Sequence, residues 1–491
     1  MRYLAIDLGA ESGRGVIGSI EGGRLTLSEV HRFPNVPVRI FDGLHWNVLD
    51  LFSGIKTAIG RAARDGASVA GIGIDSWAVD YGFISPGPEG RLVGLPYHYR
   101  DGRTDGVMER AFGVVSRREI FQHTGIQFLQ FNTLYQLLAA KEREPWALEA
   151  AEKLLMIGEL FIYFLTGRKV AEFTNATTTQ LFDPRTKAWA SELFRRFELP
   201  VDLMPEVVPP GTVVGELLPA VAGELDVPRI PVIAPAVHDT GSAVAGVPAE
   251  DQDWAFISSG TWSLVGVEVV EPVIDEASLA ENLTNEGGVG GTFRLLKNVM
   301  GLWLLQECRR AWQSEGDQVD YAALTQEALA APPLRAHIDP DDPAFFKPGG
   351  MPERIRAALA GLGQPLPSTR GEMVRCILES LALKYRYVIE RLEAVTGRKI
   401  STIHVVGGGS QNQLLNQMTA DATGRVVVAG PVEATSAGNI VMQAVATGEL
   451  SGVAEGRKVI RASFPLQVYE PKERAAWEEV YGRWVERLGA K

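Results

Sequence analysis

A glycine-rich turn that carries charged side chains follows the first apolar stretch of the chain. Residues 3–8 are apolar except for Asp7, and residues 9–14 read GAESGR. Glycine allows the backbone to approach a ligand closely, and a tight turn can direct several N–H groups toward one phosphate, to which Arg14 would add positive charge. Asp7, at the end of a predicted buried strand, could hold Mg²⁺ through water. An ordinary hairpin with a solvated aspartate explains this segment equally well.

Two later loops have a similar character. Residues 259–263 read SGTWS between two strand-like segments, and residues 407–409 are three glycines between a predicted strand and a predicted helix. A nucleotide can lie against the backbone at the second of these positions. That loop is not the dinucleotide fingerprint, because position 412 is Asn and not Gly, so a dehydrogenase loses its best support. Each loop alone is more often a plain turn. Together with the first they would supply donors to a triphosphate.

The triplet His238-Asp239-Thr240 follows the apolar segment 231–237. A carboxylate at the carboxyl end of a strand can accept a proton from a hydroxyl group, and phosphoryl transfer to an alcohol requires such a group. The common alternative is an aspartate that caps a helix, and a lone histidine is more often packed or hydrogen-bonded than catalytic.

The elements that must position these residues fall into two similar halves. Each half opens with a strand, a turn of small residues and a return strand, at residues 3–19 and again at 254–267. Residues 245–252, rich in Gly, Pro and acidic side chains, separate the halves. The pattern therefore predicts an α/β protein with two domains, at residues 1–245 and 246–491.

Hydrophobic periodicity predicts the remaining elements. Helices are expected at residues 48–64, 134–142, 147–165, 295–312, 372–395 and 412–423, and strands at residues 25–33, 69–74, 79–84, 230–237 and 403–406.

Composition excludes several classes of protein. The 491 residues are 46% hydrophobic and 22% charged, which is typical of a globular protein, and the net charge is −12. A broad non-specific affinity for nucleic acid or for an anionic membrane is therefore not expected. Cys308 and Cys376 lack metal-ligand spacing and are predicted to be free, buried thiols in the cytoplasm. The apolar start meets Asp7 after four residues, unlike a signal peptide, and no segment is predicted to span a membrane.

Taken in order, a set of segments resembles the FGGY carbohydrate kinases, whose two lobes have the actin-like, ribonuclease-H-like fold. The resemblance covers nearly the whole chain and rests on residues 7–14, 73–80, 99–104, 124–128, 131–137, 174–181, 238–240, 258–264, 284–288, 296–306, 404–412 and 430–434. It implies a sugar-binding lobe at 1–245, a nucleotide-binding lobe at 246–491, and a cleft between them.

The resemblance also implies roles for single residues. Asp239 would be the proton acceptor, and Asp7 would hold Mg²⁺. The residues expected to contact ATP are Ala10, Glu11, Ser12, Gly13, Arg14, Thr261, Gln306 and Gly408. Those expected to contact the sugar are Ala78, His238, Asp239, Thr240 and Asn298.

The strings around Asn175 and Asn298 indicate the subfamily. They imply transfer of the γ-phosphoryl group of MgATP to the C1 hydroxyl of L-rhamnulose, in the breakdown of L-rhamnose. The alternatives are another ketose such as L-fuculose or xylulose, a non-catalytic ATP-dependent sugar sensor, and more remotely a nicotinamide oxidoreductase. One departure concerns Ala78, where that subfamily has Gly, so the added methyl group would alter the sugar pocket. The oligomeric state stays open.

Overall fold

The computed structural model describes residues 1–64 and 68–489. The chain forms two compact units. The first comprises Met1–Pro248, Glu268–Leu295 and Ala434–Ser463, and the second comprises Ala249–Val267, Leu296–Glu433 and Phe464–Lys491. Both units are built from β-strands and α-helices. The division of roles predicted for residues 1–245 and 246–491 stays a prediction.

Most of the strands are short. They are β1 (Arg2–Leu8), β2 (Ser12–Glu21), β3 (Arg24–Pro34), β4 (Val38–Ile40), β5 (Gly43–His45), β6 (Gly71–Ser76), β7 (Tyr81–Ile84), β8 (Leu92–Val93), β9 (Lys153–Met156), β10 (Val170–Glu172), β11 (Phe182–Asp183), β12 (Ala188–Trp189), β13 (Glu206–Val208), β14 (Thr212–Glu216), β15 (Pro231–Ala234), β16 (Trp254–Ser259), β17 (Trp262–Val269), β18 (Thr284–Gly287), β19 (Phe293–Met300), β20 (Thr402–Val406), β21 (Val426–Ala429) and β22 (Gln467–Tyr469).

The helices range from one turn to more than seven. They are α1 (Val48–Arg64), α2 (Val107–Phe112), α3 (Arg117–Thr124), α4 (Thr133–Arg143), α5 (Pro145–Ala150), α6 (Ile157–Thr166), α7 (Phe173–Ala176), α8 (Ser191–Arg196), α9 (Pro219–Leu225), α10 (Asp239–Ala245), α11 (Glu276–Ala280), α12 (Trp303–Ser314), α13 (Tyr321–Ala330), α14 (Met351–Gly361), α15 (Arg370–Thr396), α16 (Gln413–Thr423), α17 (Ala434–Ala446), α18 (Val453–Ser463) and α19 (Arg474–Gly489).

The main sheet of the first unit has the strand order β14-β15-β6-β1-β2-β3. Strand β1 pairs antiparallel with β2 and parallel with β6, and β15 is parallel to β6. Strand β6 is buried throughout, and helix α17 packs against β1 and β6. A Cβ atom at Gly73 of β6 would collide with the Asn439 side chain of α17, so this close approach requires glycine there. The sheet therefore holds the carboxyl ends of β1 and β6 side by side beneath one helix.

The sheet of the second unit repeats this arrangement. Its strands follow the spatial order β18, β19, β17, β16, β20, β21 and β22, of which β18 and the start of β19 belong to the first unit's stretch Glu268–Leu295. Strand β16 pairs antiparallel with β17 and parallel with β20, and β21 is parallel to β20. In both sheets an antiparallel strand, β14 or β22, closes the far edge. The prediction of a two-lobed α/β protein is confirmed.

Two predicted helices are partly wrong. The segment 147–165 contains strand β9, which lies between helices α5 and α6 in the chain and pairs with β7. The segment 295–312 begins as strand β19, and its helix starts only at Trp303. In both cases a short apolar run has no decisive period, and pairing within a sheet overrides its local helical preference. Gly167 ends α6 in the left-handed conformation, which glycine adopts without strain.

No helix among residues 1–64 and 68–489 combines the length and the apolar character needed to cross a bilayer.

Candidate active site

The turn between β1 and β2 lies beside an ion pair. Asp7 and Arg14 are opposite each other in the hairpin, and Arg14 donates from Nη2 at 2.7 Å and from Nε at 3.1 Å to Oδ2 of Asp7. The Ser436 hydroxyl at the start of α17 donates to the same oxygen at 3.1 Å. The turn residues Ala10 and Ser12 are half-buried and Glu11 is exposed. The predicted phosphate loop is therefore a rigid hairpin whose one end is fixed by a buried carboxylate.

A second carboxylate, Asp75 on β6, is the neighbour of Asp7 in the parallel pairing of β1 and β6. It is fully buried, and its Oδ2 accepts a hydrogen bond of 2.6 Å from Asn439. Its Oδ1 is also buried but has no hydrogen-bond partner among the described residues. Burial and the negative charges of Asp7 and Asp239 raise the pKa of Asp75, and the Asn439 bond opposes this. Sequence reasoning assigned Asp75 no role, although its place at a strand end parallel to Asp7 was a usable signal.

Asp239 is the first residue of helix α10, and residues 235–238 connect it to strand β15. Its side chain retains 32% of its accessible surface, so a ligand can reach it. The Thr240 hydroxyl donates to its Oδ1 at 3.2 Å, and His238 Nε2 lies 3.5 Å from the same oxygen. The surrounding protein raises the pKa of Asp239 by displacing water, and the charge of Asp7 adds to this while His238 opposes it. A carboxylate with a raised pKa is a better proton acceptor than an ordinary aspartate.

His238 connects Asp239 to a buried ion pair. Its Nδ1 lies 3.1 Å from Nη2 of Arg294 and 3.3 Å from Oε2 of Glu286. The Arg294 side chain is fully buried, and its Nε donates to the Gly287 carbonyl at 2.8 Å. Burial lowers the pKa of Arg294, and nearby carboxylates, Glu286 foremost, oppose this. This pair was not found from the sequence, because β18 and β19 bring it to His238 only in the folded chain.

The segment that contains Ala78 is a strained turn. The Asp80 N–H bonds to the Ala78 carbonyl at 2.9 Å, and Val79 between them has a φ of 67°, which is rare for a β-branched residue. Thr133 and Gln136 hold the Val79 carbonyl at 2.8 and 3.2 Å. Strain of this kind persists only where the surroundings impose it.

Asp80 anchors this turn from the protein interior. Its Oδ2 accepts bonds from the indoles of Trp46 and Trp77 at 2.6 and 3.1 Å, and from the Tyr99 N–H at 3.1 Å. Gln136 donates to Oδ1 at 2.8 Å. Burial raises the pKa of Asp80 to about 6, although these bonds oppose the shift. The ring centroids of Trp46 and Trp77 lie 4.2 Å apart. Ala78 therefore comes immediately after a tryptophan that is packed in an aromatic pair.

In the second unit, the turn between β16 and β17 is joined to the start of helix α12. The Leu302 N–H bonds to the Gly260 carbonyl and the Trp303 N–H to the Thr261 carbonyl, both at 3.1 Å. Gln306 lies on the first turn of this helix, and its Oε1 is buried without a hydrogen-bond partner in the described part of the chain. These bonds thus join the turn that carries Thr261 to the helix that carries Gln306.

The triple-glycine loop lies against the same turn. Strands β16 and β20 are parallel, with Ser258 opposite Val406. A Cβ atom at Gly409 would collide with the Ser259 side chain, whereas one at Gly408 would meet nothing within 4 Å. Gly408 therefore faces open space beside the turn that carries Thr261, as a backbone contact to a nucleotide requires.

The predicted site residues fall into two groups. The first unit holds Asp7, the 10–14 loop, Ala78, His238, Asp239 and Thr240, and a single parallel bridge pairs Ser76 with His238. The second unit holds Thr261, Gln306 and Gly408, and also Asn298, which is half-buried on β19.

The acidic groups of the first unit suit a hydrated Mg²⁺. No group of three or more His, Cys, Asp or Glu side chains able to hold a metal ion occurs within the described ranges. Mg²⁺ often binds through only one or two carboxylates, together with waters and substrate phosphates. In the described part of the chain, the donors to Asp7 from Arg14 and Ser436 all reach Oδ2 and leave Oδ1 without such a bond. Asp7 therefore fits the ion.

Solved structures of kinases share the fold. The ligand-bound xylulose kinase from Lactobacillus acidophilus superposes with a TM-score of 0.83 over 100% of this chain and 98% of its own, at 17% identity. The chain thus shares the two-domain fold of this kinase.

Sequence comparison identifies the family. Models of the N-terminal and C-terminal domains of the FGGY family of carbohydrate kinases match residues 2–246 and 255–447. The rhamnulokinase of Bacteroides thetaiotaomicron is 46% identical over 98% of both chains, and that of Pectobacterium atrosepticum is 44% identical over 98% of this chain and 95% of its own. The chain belongs to the FGGY family of carbohydrate kinases. It is an ATP-dependent sugar kinase that uses Mg²⁺.

Proposed function

We propose that this kinase transfers the γ-phosphoryl group of ATP to the C1 hydroxyl of L-rhamnulose, giving L-rhamnulose 1-phosphate and ADP. The observation that carries the proposal is the identity of 46% over nearly the full length of a relative named rhamnulokinase. The segments around Asn175 and Asn298 support the same substrate. The solved kinases, at under 25% identity, support only the fold.

Asp239 acts as the proton acceptor in this proposal. Its carboxylate is exposed enough to meet a sugar hydroxyl, and its raised pKa suits it to take the C1 proton as the oxygen attacks phosphorus. His238, whose Nδ1 lies beside Arg294 and Glu286, places its Nε2 near Oδ1 of Asp239, the oxygen that Thr240 also contacts, and adds contacts to the sugar. The proton leaves to solvent after the product departs.

The remaining residues bind and orient. Ala78 contributes a backbone contact to the sugar and Asn298 a side-chain contact. The 10–14 loop, Thr261, Gln306 and Gly408 contact ATP, and Asp7 holds the hydrated Mg²⁺. Bound MgATP supplies the phosphoryl group, and the ion neutralises charge on it. Exclusion of water from the bound substrates removes it as a competing acceptor.

We also propose that the enzyme works in the cytoplasm. Cys308 and Cys376 are both buried and unbridged, which supports a reducing compartment.

The decisive experiment measures ADP release with a panel of ketoses and aldoses, including L-rhamnulose, L-fuculose and D-xylulose. The highest kcat/KM is expected with L-rhamnulose, and phosphorus NMR of the product should show a phosphate on C1. Another ketose that exceeds L-rhamnulose by about tenfold or more would replace the substrate and leave the kinase class intact, since a methyl-sized difference is worth only ~10–200-fold. ATP binding without sugar-dependent ADP release would favour the sensor.

A further inference from the structure

The segment 172–175 reads EFTN and contains part of one of the strings that indicate the subfamily, but none of the roles above uses it. Glu172 ends strand β10, and its side chain caps the short helix α7 by accepting a bond of 2.9 Å from the Thr174 N–H. Glu172, Thr174 and Asn175 are fully buried. Burying a carboxyl group costs free energy unless hydrogen bonds compensate for the lost water, so the bonds of Glu172 are of interest.

The other bonds of Glu172 and Thr174 reach the peptide groups that immediately precede Asp239. Oε2 of Glu172 accepts a hydrogen bond of 2.8 Å from the Val237 N–H and one of 2.5 Å from the Thr174 hydroxyl. The Thr174 oxygen in turn accepts from the His238 N–H at 3.2 Å. Two consecutive backbone donors before Asp239 therefore end on this pair of side chains.

Among the described residues, these two N–H donors lie outside the strand and the helix on either side of them. Strand β15 ends at Ala234, and helix α10 starts at Asp239 with no side-chain capping bond from His238. On the opposite side, the Val237 carbonyl accepts from the Ser76 N–H at 2.8 Å. The backbone between strand and helix is thus fixed by Glu172 and Thr174 on its N–H side and by β6 on its carbonyl side.

A further carboxyl group holds Glu172 in place. Glu159 accepts a bond of 3.0 Å from the Glu172 N–H through Oε1, and one of 2.8 Å from the Asn175 amide through Oε2. Burial raises the pKa of Glu159 to about 7 and that of Glu172 to about 8. All of these groups lie in the first unit.

We infer that Glu172 and Thr174 are positioning residues that fix the Val237–His238 backbone and thereby aim the Asp239 carboxylate at the sugar hydroxyl. The inference rests on the proposed function, because it takes Asp239 as the proton acceptor. Since a misplacement of about 1 Å in a reacting group can cost ~10²-fold in rate, loss of these bonds acts on turnover although neither side chain touches the substrate.

Thr174→Val tests this directly, because valine keeps the shape and removes the acceptor for the His238 N–H. Thr174→Ser, which keeps the hydroxyl, is the matched control. We expect Thr174→Val to lower kcat by ~10–100-fold with the KM for ATP unchanged, and Thr174→Ser to restore most of the activity. Glu172→Gln is a second variant. Its NH₂ group would face a backbone N–H where the carboxylate oxygen now accepts a hydrogen bond, so that bond is lost. This variant supplies the same measurement if Thr174→Val fails to fold, as judged by circular dichroism.

A double-mutant cycle separates positioning from a general structural role. If Thr174 acts through Asp239, then Thr174→Val changes kcat by less than about twofold in the Asp239→Asn background. An equal loss in both backgrounds, or wild-type kcat for Thr174→Val, would overturn the inference. The Asp239→Asn arm alone reports on the proposed function: near-normal turnover there would remove Asp239 as the acceptor and the inference with it. A different preferred ketose would change only the sugar used in the assay.

Discussion

The amide of Asn439 donates a hydrogen bond of 2.6 Å to Oδ2 of Asp75, which lies 364 residues earlier in the chain. Gln443 donates to the amide oxygen of Asn439 at 2.7 Å, so the orientation of the amide is fixed with its NH₂ group toward the carboxylate. Helix α17 therefore supplies a side-chain donor to Asp75, and this bond opposes the rise in the pKa of Asp75 that burial and the charges of Asp7 and Asp239 cause.

Replacing Asn439 by alanine should destabilise the protein in a pH-dependent way. The buried Asp75 carboxylate would lose its donor, at a cost of about 1–3 kcal/mol in the free energy of unfolding. The folded-state pKa of Asp75 is already raised, so the carboxyl group takes up a proton in the folded state more readily than in the unfolded state as pH falls. The loss in the free energy of unfolding should thus be largest at alkaline pH and become smaller toward acidic pH. Urea unfolding at several pH values measures it. A deficit that is unchanged by the further substitution Asp75→Asn would contradict this account.

Asp239→Asn should lower kcat by at least ~10²-fold while ATP and the sugar still bind. The amide keeps the size of the side chain but cannot accept the proton. Steady-state kinetics and ligand-induced thermal shifts measure the two effects separately. Turnover near that of the wild type would exclude Asp239 from the chemistry.

Thr261→Val should mainly impair the use of ATP. The carbonyl of Thr261 is bonded to the Trp303 N–H, so the backbone of the turn should stay in place while the hydroxyl is lost. A loss of ~1–3 kcal/mol in kcat/KM for ATP is expected if the hydroxyl bonds a phosphate oxygen. Thr261→Ser is the control that retains the hydroxyl. An unchanged KM for ATP together with an unchanged kcat would count against this loop.

Ala78→Gly should lower the KM for L-rhamnulose or widen the range of ketoses accepted. Ala78 is half-buried beside the aromatic cluster, and its carbonyl is held by the Asp80 N–H, so its methyl group has little freedom to move away. Kinetics with the ketose panel give the comparison. A change in thermal stability alone, of about 1 kcal/mol or less, would mean that the methyl group points away from the sugar.

Both thiols should be free but slow to react in the folded protein. Cys308 and Cys376 are buried, and burial raises the pKa of Cys376 to about 12 and that of Cys308 further still. Only the thiolate reacts readily with disulfide reagents. Titration of unreduced protein should detect both thiols after denaturation and little before it. Finding neither after denaturation would contradict a reduced protein.

The sequence was informative where chemistry depends on neighbours along the chain. The β1–β2 hairpin, the turn at Thr261 and the position of Asp239 after a buried segment follow from local patterns. The support of Asp75 by Asn439 and of His238 by Arg294 depends on contacts between distant segments, which no local period encodes. Residues 295–300 were predicted as helix for the same reason, because their strand conformation depends on pairing with a distant segment in the sheet.

The first unit is assembled from three separate stretches of the chain, and the last of them begins at Ala434. On a ribosome that adds ~5–20 residues per second, α17 is made roughly 10–40 s after Pro248. Throughout that interval the nascent chain carries Asp75 without its donor and the Gly73 surface without its covering helix. A gene fragment that stops at residue 246 would leave this face bare permanently. The first unit can therefore complete its packing only after the chain has been made as far as α17.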